Sequence, residues 1–404
     1  MQTYDAIVLG AGGVGSAAMF ELARRGARVL GIDSCRPPHS FGSSHGHTRV
    51  IRQAYFEHPK YVPLLRESYR LWRELESQIG KQLFHQIGLV EIGPAEGIVV
   101  SGVFRAADEY GLAVEQLTGA EITNRWPGLR VTADLAGVYE PTAGYLLVED
   151  CVAAHLAAAE SAGAELRIDV ALGGLAFGKR AWSAENDEVV VYLREGPVRA
   201  KRLIIAAGAS AGSMLSDLPL QFKVLRKSLF WFKTDAPEYD VASGLPVFLF
   251  ELPHGPRGRV SPRLGNGSLG ETAPRGGIFY GFPKLDPRGV KVSEHTGGRV
   301  VTELTTADLE PDQDEQDRLI HFLSAHLPGV SKYVSGHTVC RYTMSPDEHF
   351  IIDRHPAHAN VVFAAGLSGH GFKFTPVLGR ALADLALDGS TQLPIEFLSL
   401  KRFS

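Results

Sequence analysis

The sequence predicts an α/β fold in two lobes, one around a parallel sheet and the other an α+β lobe. Three observations carry this. A strand, a glycine turn, a helix and a second strand follow one another within the first 33 residues. Later in the chain short strand patterns outnumber helices, as in a mostly antiparallel sheet. The length of 404 residues allows two or three domains at about 150 residues each.

The elements follow in order. Ala6 to Leu9 is a short apolar run, as in a buried parallel strand. Gly10-Ala11-Gly12-Gly13-Val14-Gly15 turns the chain into a helix over Ser16 to Arg25, with Gly26 as its stop. Val29 to Ile32 is the next strand and ends at Asp33. Tyr61 to Ile79 reads as a helix, because Leu64, Leu65, Leu71, Trp72 and Leu75 make one apolar stripe. Leu89 to Ile92 is a strand, Val99 to Tyr110 a helix, and Glu149 to Ala162 an alanine-rich helix. Strands are expected at Val189 to Leu193, Val198 to Ala207, Phe222 to Phe232, Ile278 to Phe282 and Val290 to Val292. A helix over Asp312 to Leu327 leads to strands at Gly336 to Thr343, Phe350 to Ile352 and Val361 to Ala364. Pro376 to Leu387 is the last helix, with proline near its start, where it is tolerated. His254 to Gly277 has no periodicity, is rich in glycine and proline, and reads as an irregular loop.

Composition narrows the function. Hydrophobic residues make up 45% and charged residues 21%, which excludes wholesale disorder. A net charge of −4 gives no electrostatic case for nucleic acid. No run of about 18 apolar residues is present, so no membrane-spanning helix is expected. The start, Met1 to Asp5, lacks the basic region of a signal peptide. Cys35, Cys151 and Cys340 are too few and too scattered for a disulfide framework, so a reduced, cytoplasmic protein is expected. No metal site is expected. The 44 glycines are about a tenth of the chain against a usual ~7%, which suggests backbone brought close to a ligand.

The first glycine turn has the context of a dinucleotide site. Gly10 permits the tight turn, Gly12 lets the backbone approach a pyrophosphate, and Gly15 allows close helix–strand packing. The helix start offers free N–H groups to phosphates. Asp33 can accept from a ribose 2′-OH and would repel a 2′-phosphate. The turn alone does not separate FAD from NAD.

In a strand through Cys340-Arg341-Tyr342-Thr343, Cys340 and Tyr342 share one face. Close behind, Ser368-Gly369-His370-Gly371-Phe372-Lys373-Phe374 is a second glycine-rich turn entering a helix. These segments resemble the monomeric sarcosine oxidase and N-methyl-L-tryptophan oxidase family of FAD-dependent amine oxidases. So do Pro37-Pro38-His39, Ser44-His45-Gly46, Thr48-Arg49-Val50-Ile51-Arg52, Tyr61-Val62-Pro63, Arg125-Trp126-Pro127-Gly128, Tyr280-Gly281-Phe282-Pro283 and Cys340 to Asp353, in the family's order.

The resemblance implies a Rossmann-type FAD-binding domain over residues 1–85, 141–220 and 330–404. It implies a substrate domain with a mostly antiparallel sheet over 86–140 and 221–329. It implies FAD joined covalently to Cys340 through the flavin 8α-methyl group, with Gly10, Gly12, Gly15, Asp33, Ser44, Gly369, Gly371 and Lys373 as further cofactor contacts. His45 and Arg49 would lie against the flavin. Arg52 and Lys373 would clamp the substrate carboxylate, with Tyr280, Tyr342 and His295 lining the pocket. Lys291 would assist electron transfer to oxygen.

The implied activity is oxidative demethylation of an N-methyl L-amino acid, of sarcosine or N-methyl-L-tryptophan type, by a monomer that uses oxygen. Segments near Gly297-Gly298 and Ser345 to Glu348 look slightly closer to the N-methyltryptophan branch. Rival readings are a cyclic imino acid oxidase, a flavin-dependent amine dehydrogenase using a carrier, a non-catalytic dinucleotide binder and an NAD-dependent dehydrogenase. His47 and Gln53 depart from the family pattern beside the arginine motif. The His254 to Gly277 stretch is longer than the pattern and is expected to be either a lid or a surface insertion.

Overall fold

The computed structural model describes residues 3–169, 181–185, 187–253, 276–302 and 306–403. The expected loop at His254 to Gly277 therefore lies outside the described residues, except for its last two; Gly277 opens a strand.

The first sheet forms around the earliest apolar run. Thr3–Leu9 pairs in parallel with Val29–Asp33 on one side and Gly196–Ile205 on the other. Glu165–Ile168 continues the sheet beyond Val29–Asp33, and His358–Ala365 beyond the C-terminal half of Gly196–Ile205. Period-two alternation divides these strands between two cores. Ala6, Val8, Ile204 and Val362 face helices Gly13–Ala23, Val148–Ser161 and Thr375–Leu387. Ile7, Leu9, Leu203 and Phe363 face Trp182, Met214 and Leu215. Burial on both faces is what the unbroken apolar runs predict for parallel strands.

Among the described residues the second sheet has nine strands and is antiparallel apart from one parallel pair, Leu89–Gly93 with Val247–Leu252. Its core is aromatic, with Phe230, Phe232, Phe248, Phe250 and Phe279 packed against helix Gln313–His326. A small third sheet joins Thr48–Ile51, Gly144–Leu147 and Phe84–His85. It carries the arginine motif, with Val50 packed against the cluster that holds Leu249 and Tyr280.

Three differences from expectation have physical causes. The first helix begins at Gly13, ahead of Ser16, since two glycines in its first turn carry no helix-forming signal. Val247–Leu252 has no alternation to betray it, because Val247 to Glu251 are all buried. Val334–Met344 pairs along the whole of Lys223–Phe232 and so joins the second sheet, although residues 330–404 were grouped with the dinucleotide lobe. The chain returns to the first sheet at Ile351–His355, which pairs with His358–Ala365.

Candidate active site

One cavity runs past both glycine turns. Gly10, Gly12, Asp33, Ser44, Cys340, Gly369 and Gly371 all line it. Gly10 sits at φ +86°, and a Cβ there would lie 2.5 Å from the Ala206 carbonyl oxygen. Gly15 does not reach the cavity. Its own Cβ would meet the Gly10 oxygen at 1.7 Å, so its role is the close helix–strand approach. The Ser44 Oγ accepts from the Gly13 N–H at 3.1 Å, tying the 40s loop to the turn. Asp33 accepts from the Ala11 N–H at 2.7 Å. Burial opposes its charge, but His39 and that N–H outweigh it and hold the carboxyl below its usual range.

Cys340 is 2% exposed on its strand, and the Arg49 Nη2 donates to its sulfur at 3.1 Å. Cys151 is buried in a helix instead, and burial pushes its thiol well up. Lys291 is buried on Val290–Glu294, which pairs with Lys223–Phe232, the strand that also pairs with the Cys340 strand. Its Nζ donates to Gly46 O at 2.6 Å, Thr48 O at 2.9 Å and Thr48 Oγ1 at 3.1 Å. Burial and Arg49 push its pKa well down, while these acceptors, one for each N–H of an ammonium, and Glu149 work the other way.

His45 faces a separate open cavity with His47, Glu149 and Trp231, and burial and Arg49 lower it to about 4. His47 takes φ +72°, its N–H donating to Glu149. The Gln53 backbone N–H donates to Glu140.

A second, smaller cavity shares Arg49, Tyr342, Gly369 and Phe372 with the first. Its other walls bring together Arg52, Tyr280, His295 and Lys373, which come from three distant stretches of chain. Tyr342 and His295 face each other, Oη to Nδ1, at 3.5 Å. Burial, with Lys227 nearby, holds His295 neutral, its pKa lowered to about 3. Burial and the Arg52 guanidinium bring Lys373 down to about 7. Arg52 is sandwiched by the Tyr55 and Phe56 rings at 4.3 and 4.4 Å. Both oxygens of Glu57 accept from its Nη2, at 2.8 and 2.9 Å.

Sequence reasoning missed Glu57, Glu91 and Lys227. Lys227 is 3% exposed, and its Nζ donates to Thr296 O at 2.5 Å and reaches Glu294 O at 3.4 Å, which fixes the turn that carries His295. Glu91 lies 3.5 Å from Arg52 Nε. Glu91 interrupts the apolar strand run Leu89-Val90-Glu91-Ile92, and an ionisable group inside such a run is the signal that marks it; Lys227, between Arg226 and Ser228, carries no such signal. Among the described residues, Asp217, His355 and His358 are grouped closely enough to consider a metal. His355 Nδ1 accepts from the Ala357 N–H, which leaves the Nε2–H to donate to Asp217 at 3.3 Å, where a metal would need a lone pair.

The chain is 37% identical to a monomeric sarcosine oxidase of Streptomyces avermitilis, covering 100% of this chain and 98% of that one. It is 36% identical to one of Bacillus sp., covering 99% and 96%. It is 35% identical to an N-methyl-L-tryptophan oxidase of Citrobacter koseri, covering 99% of both. Among solved structures, NikD, an unusual amino acid oxidase, superposes with a TM-score of 0.80 at 24% identity, covering 99% of this chain and 98% of that one, which speaks to the fold. Among the described residues no helix is long and apolar enough to cross a membrane. Residues 5–385 match the family described as FAD dependent oxidoreductase, and with relatives this similar over their full length, the chain belongs to that family.

Proposed function

We propose that the protein oxidises an N-methyl L-amino acid of about sarcosine's size. Substrate, oxygen and water would give the primary amino acid, formaldehyde and hydrogen peroxide. One observation carries this: a small cavity with an arginine and a lysine shares a wall with the cavity that holds both glycine turns.

The residues fit FAD. Gly10 and Gly369 bring backbone where a Cβ would clash, and Asp33 is held charged to accept from a ribose hydroxyl. Gly10, Gly12, Asp33, Ser44, Gly369 and Gly371 would hold it, and Cys340 with Arg49 beside it would supply the covalent attachment. The bound flavin would accept the two electrons and the hydrogen taken from the substrate's C–H bond.

Everything else falls to this chain's side chains. Arg52 and Lys373 would anchor the carboxylate, each charge-assisted contact giving about 1.5–3 kcal/mol. Glu57 is the competitor that the carboxylate must displace from Arg52. Arg49, Arg52 and Lys373 outnumber Glu57 around the cavity, while His295 and His370 stay neutral, at about 3 and about 4. That field favours a bound carboxylate and lowers the pKa of the amine, as oxidation requires. Tyr280, Tyr342 and His295 would orient the N-methyl group. Lys291 would stabilise the negative charge that arises as oxygen is reduced.

The cavity volume is about 60 Å³, against about 10–15 Å³ needed to seat one water by the same measure. Room for about four to six waters suits sarcosine or a cyclic imino acid better than a substrate with an indole side chain. This moves the reading away from the N-methyltryptophan branch.

The test is peroxide release across a panel of sarcosine, N-methyltryptophan, pipecolate and proline, followed by acid precipitation of the holoenzyme. Sarcosine should turn over and the pellet should stay yellow. No peroxide from any N-methyl substrate would overturn the function. Flavin in the supernatant would overturn the Cys340 attachment alone. A cytoplasmic, monomeric enzyme completes the proposal, which gel filtration and cell fractionation can check.

A further inference from the structure

Glu91 stands on Leu89–Gly93 with none of its surface exposed. Its strand neighbours in register are apolar, Leu249 on one side and Val138 on the other. Neither carboxyl oxygen has a hydrogen-bond partner, and the closest cationic atom is Arg52 Nε at 3.5 Å. Arg52 is therefore approached by two carboxyl groups. Glu57 takes Nη2, and Glu91 stands beside Nε, next to it on the guanidinium.

We propose that Glu91 is a positioning residue that gates Arg52: protonated, it leaves the arginine's charge to the incoming carboxylate, and ionised, it draws the guanidinium onto itself and weakens binding. This rests on the reading of Arg52 as the carboxylate anchor. A buried carboxyl with no hydrogen-bond donor beyond one arginine edge keeps its proton at neutral pH. The charged groups that face it are Arg52, Glu140, Glu57 and Lys373. Burial pushes it up to about 8 against Arg52, with Glu140 and Glu57 adding to the rise and Lys373 opposing it. Glu140 is occupied with the N–H groups of Gln53 and Ala54 and supplies no donor. Ordinary carboxylates titrate far below the pH where binding would change, so the effect carries this residue's signature.

The test uses holoenzyme and propionate, which has the carboxylate but no amine to titrate. Its Kd is read from the flavin spectrum between pH 6 and 9.5. In wild type, the affinity should begin to fall above about 7 as Lys373 loses its proton. It should steepen above about 8 by roughly one further decade per pH unit. Glu91→Gln, neutral at every pH, should lose that second steepening and keep the first. Glu91→Leu should behave the same way, which covers a glutamine that folds poorly. Steepening that persists in the folded variants overturns the proposal. Arg52→Met separates the underlying reading: propionate bound as tightly by that variant at pH 7 would show that Arg52 is not the anchor, whatever Glu91 does.

Discussion

Replacing Gly369 by alanine should damage both cavities at once. The residue sits at φ +81°, where a side chain costs about 1–2 kcal/mol. Its new Cβ would lie 2.3, 2.4 and 2.7 Å from Cδ2, Cε2 and Cγ of Tyr342. Ordinary contact needs about 3.5–4 Å, so the ring must retreat by about 1 Å or more. Cγ, the ring's pivot, is among the atoms struck, so rotation of the ring about its own axis does not relieve the clash. Overpacking of this kind costs about 1–3 kcal/mol, for a total of about 2–5 kcal/mol. Tyr342 forms part of the wall shared by the two cavities, and a misplacement of about 1 Å near a reacting centre costs about a hundredfold in rate. The assay is kcat/KM for sarcosine with flavin content and Tm measured on the same preparation. Gly80→Ala is the control, since Gly80 also has positive φ, +66°, but no atom within 4 Å of the added carbon. The control should lose stability without losing activity. A Gly369→Ala enzyme with full flavin, Tm matching the control and kcat/KM within twofold of wild type would refute the reasoning.

Lys291→Met should leave anaerobic bleaching of the flavin by substrate within about tenfold and slow reoxidation by oxygen by about 10²–10³, as expected when a stabilising donor is removed; stopped-flow traces with unchanged reoxidation would contradict the assigned role. Lys227→Met removes the donor that holds Glu294 O and Thr296 O, so KM should rise about tenfold with kcat nearly kept, and Lys227→Arg should recover part of it. Stability should fall in acid. Burial, chiefly, lowers His45, His155 and His370 to about 4 and His295 to about 3, so each takes up a proton only on unfolding. Their contribution is complete above about pH 6.5 and is lost as pH falls towards 4, with four protons giving a slope near 5 kcal/mol per pH unit. Denaturant titrations at pH 7, 6 and 5 would show it, and equal stability at all three would disprove it.

The site was legible where chemistry forces a backbone pattern. Gly10, Gly15, Gly369 and Gly371 leave no room for a Cβ, and Asp33 ends a strand, so order alone located them. Cys340, Arg49 and Lys291 were legible only through a whole-chain resemblance, since nothing local distinguishes a cofactor thiol from an inert one. Glu57, Glu91 and Lys227 escaped because their meaning is pairwise and tertiary. Glu57 matters through Arg52, and Lys227 through carbonyls 67 and 69 residues away. In the fold, Val247–Leu252 and Thr48–Ile51 were hidden for a related reason: burial on both faces erases alternation, and strands as short as four residues carry little periodicity.

The contact between Arg49 and Cys340 joins positions 291 residues apart in the chain. That contact cannot form on a ribosome-bound chain that has yet to deliver its last strands. The thiol gains its guanidinium neighbour only when the small third sheet has docked beside Lys223–Phe232 and Val334–Met344 has closed on it. Any chemistry that needs the pair is therefore a late maturation step. It acts as an inspection of the finished fold, and misassembled chains would be recognisable as colourless protein.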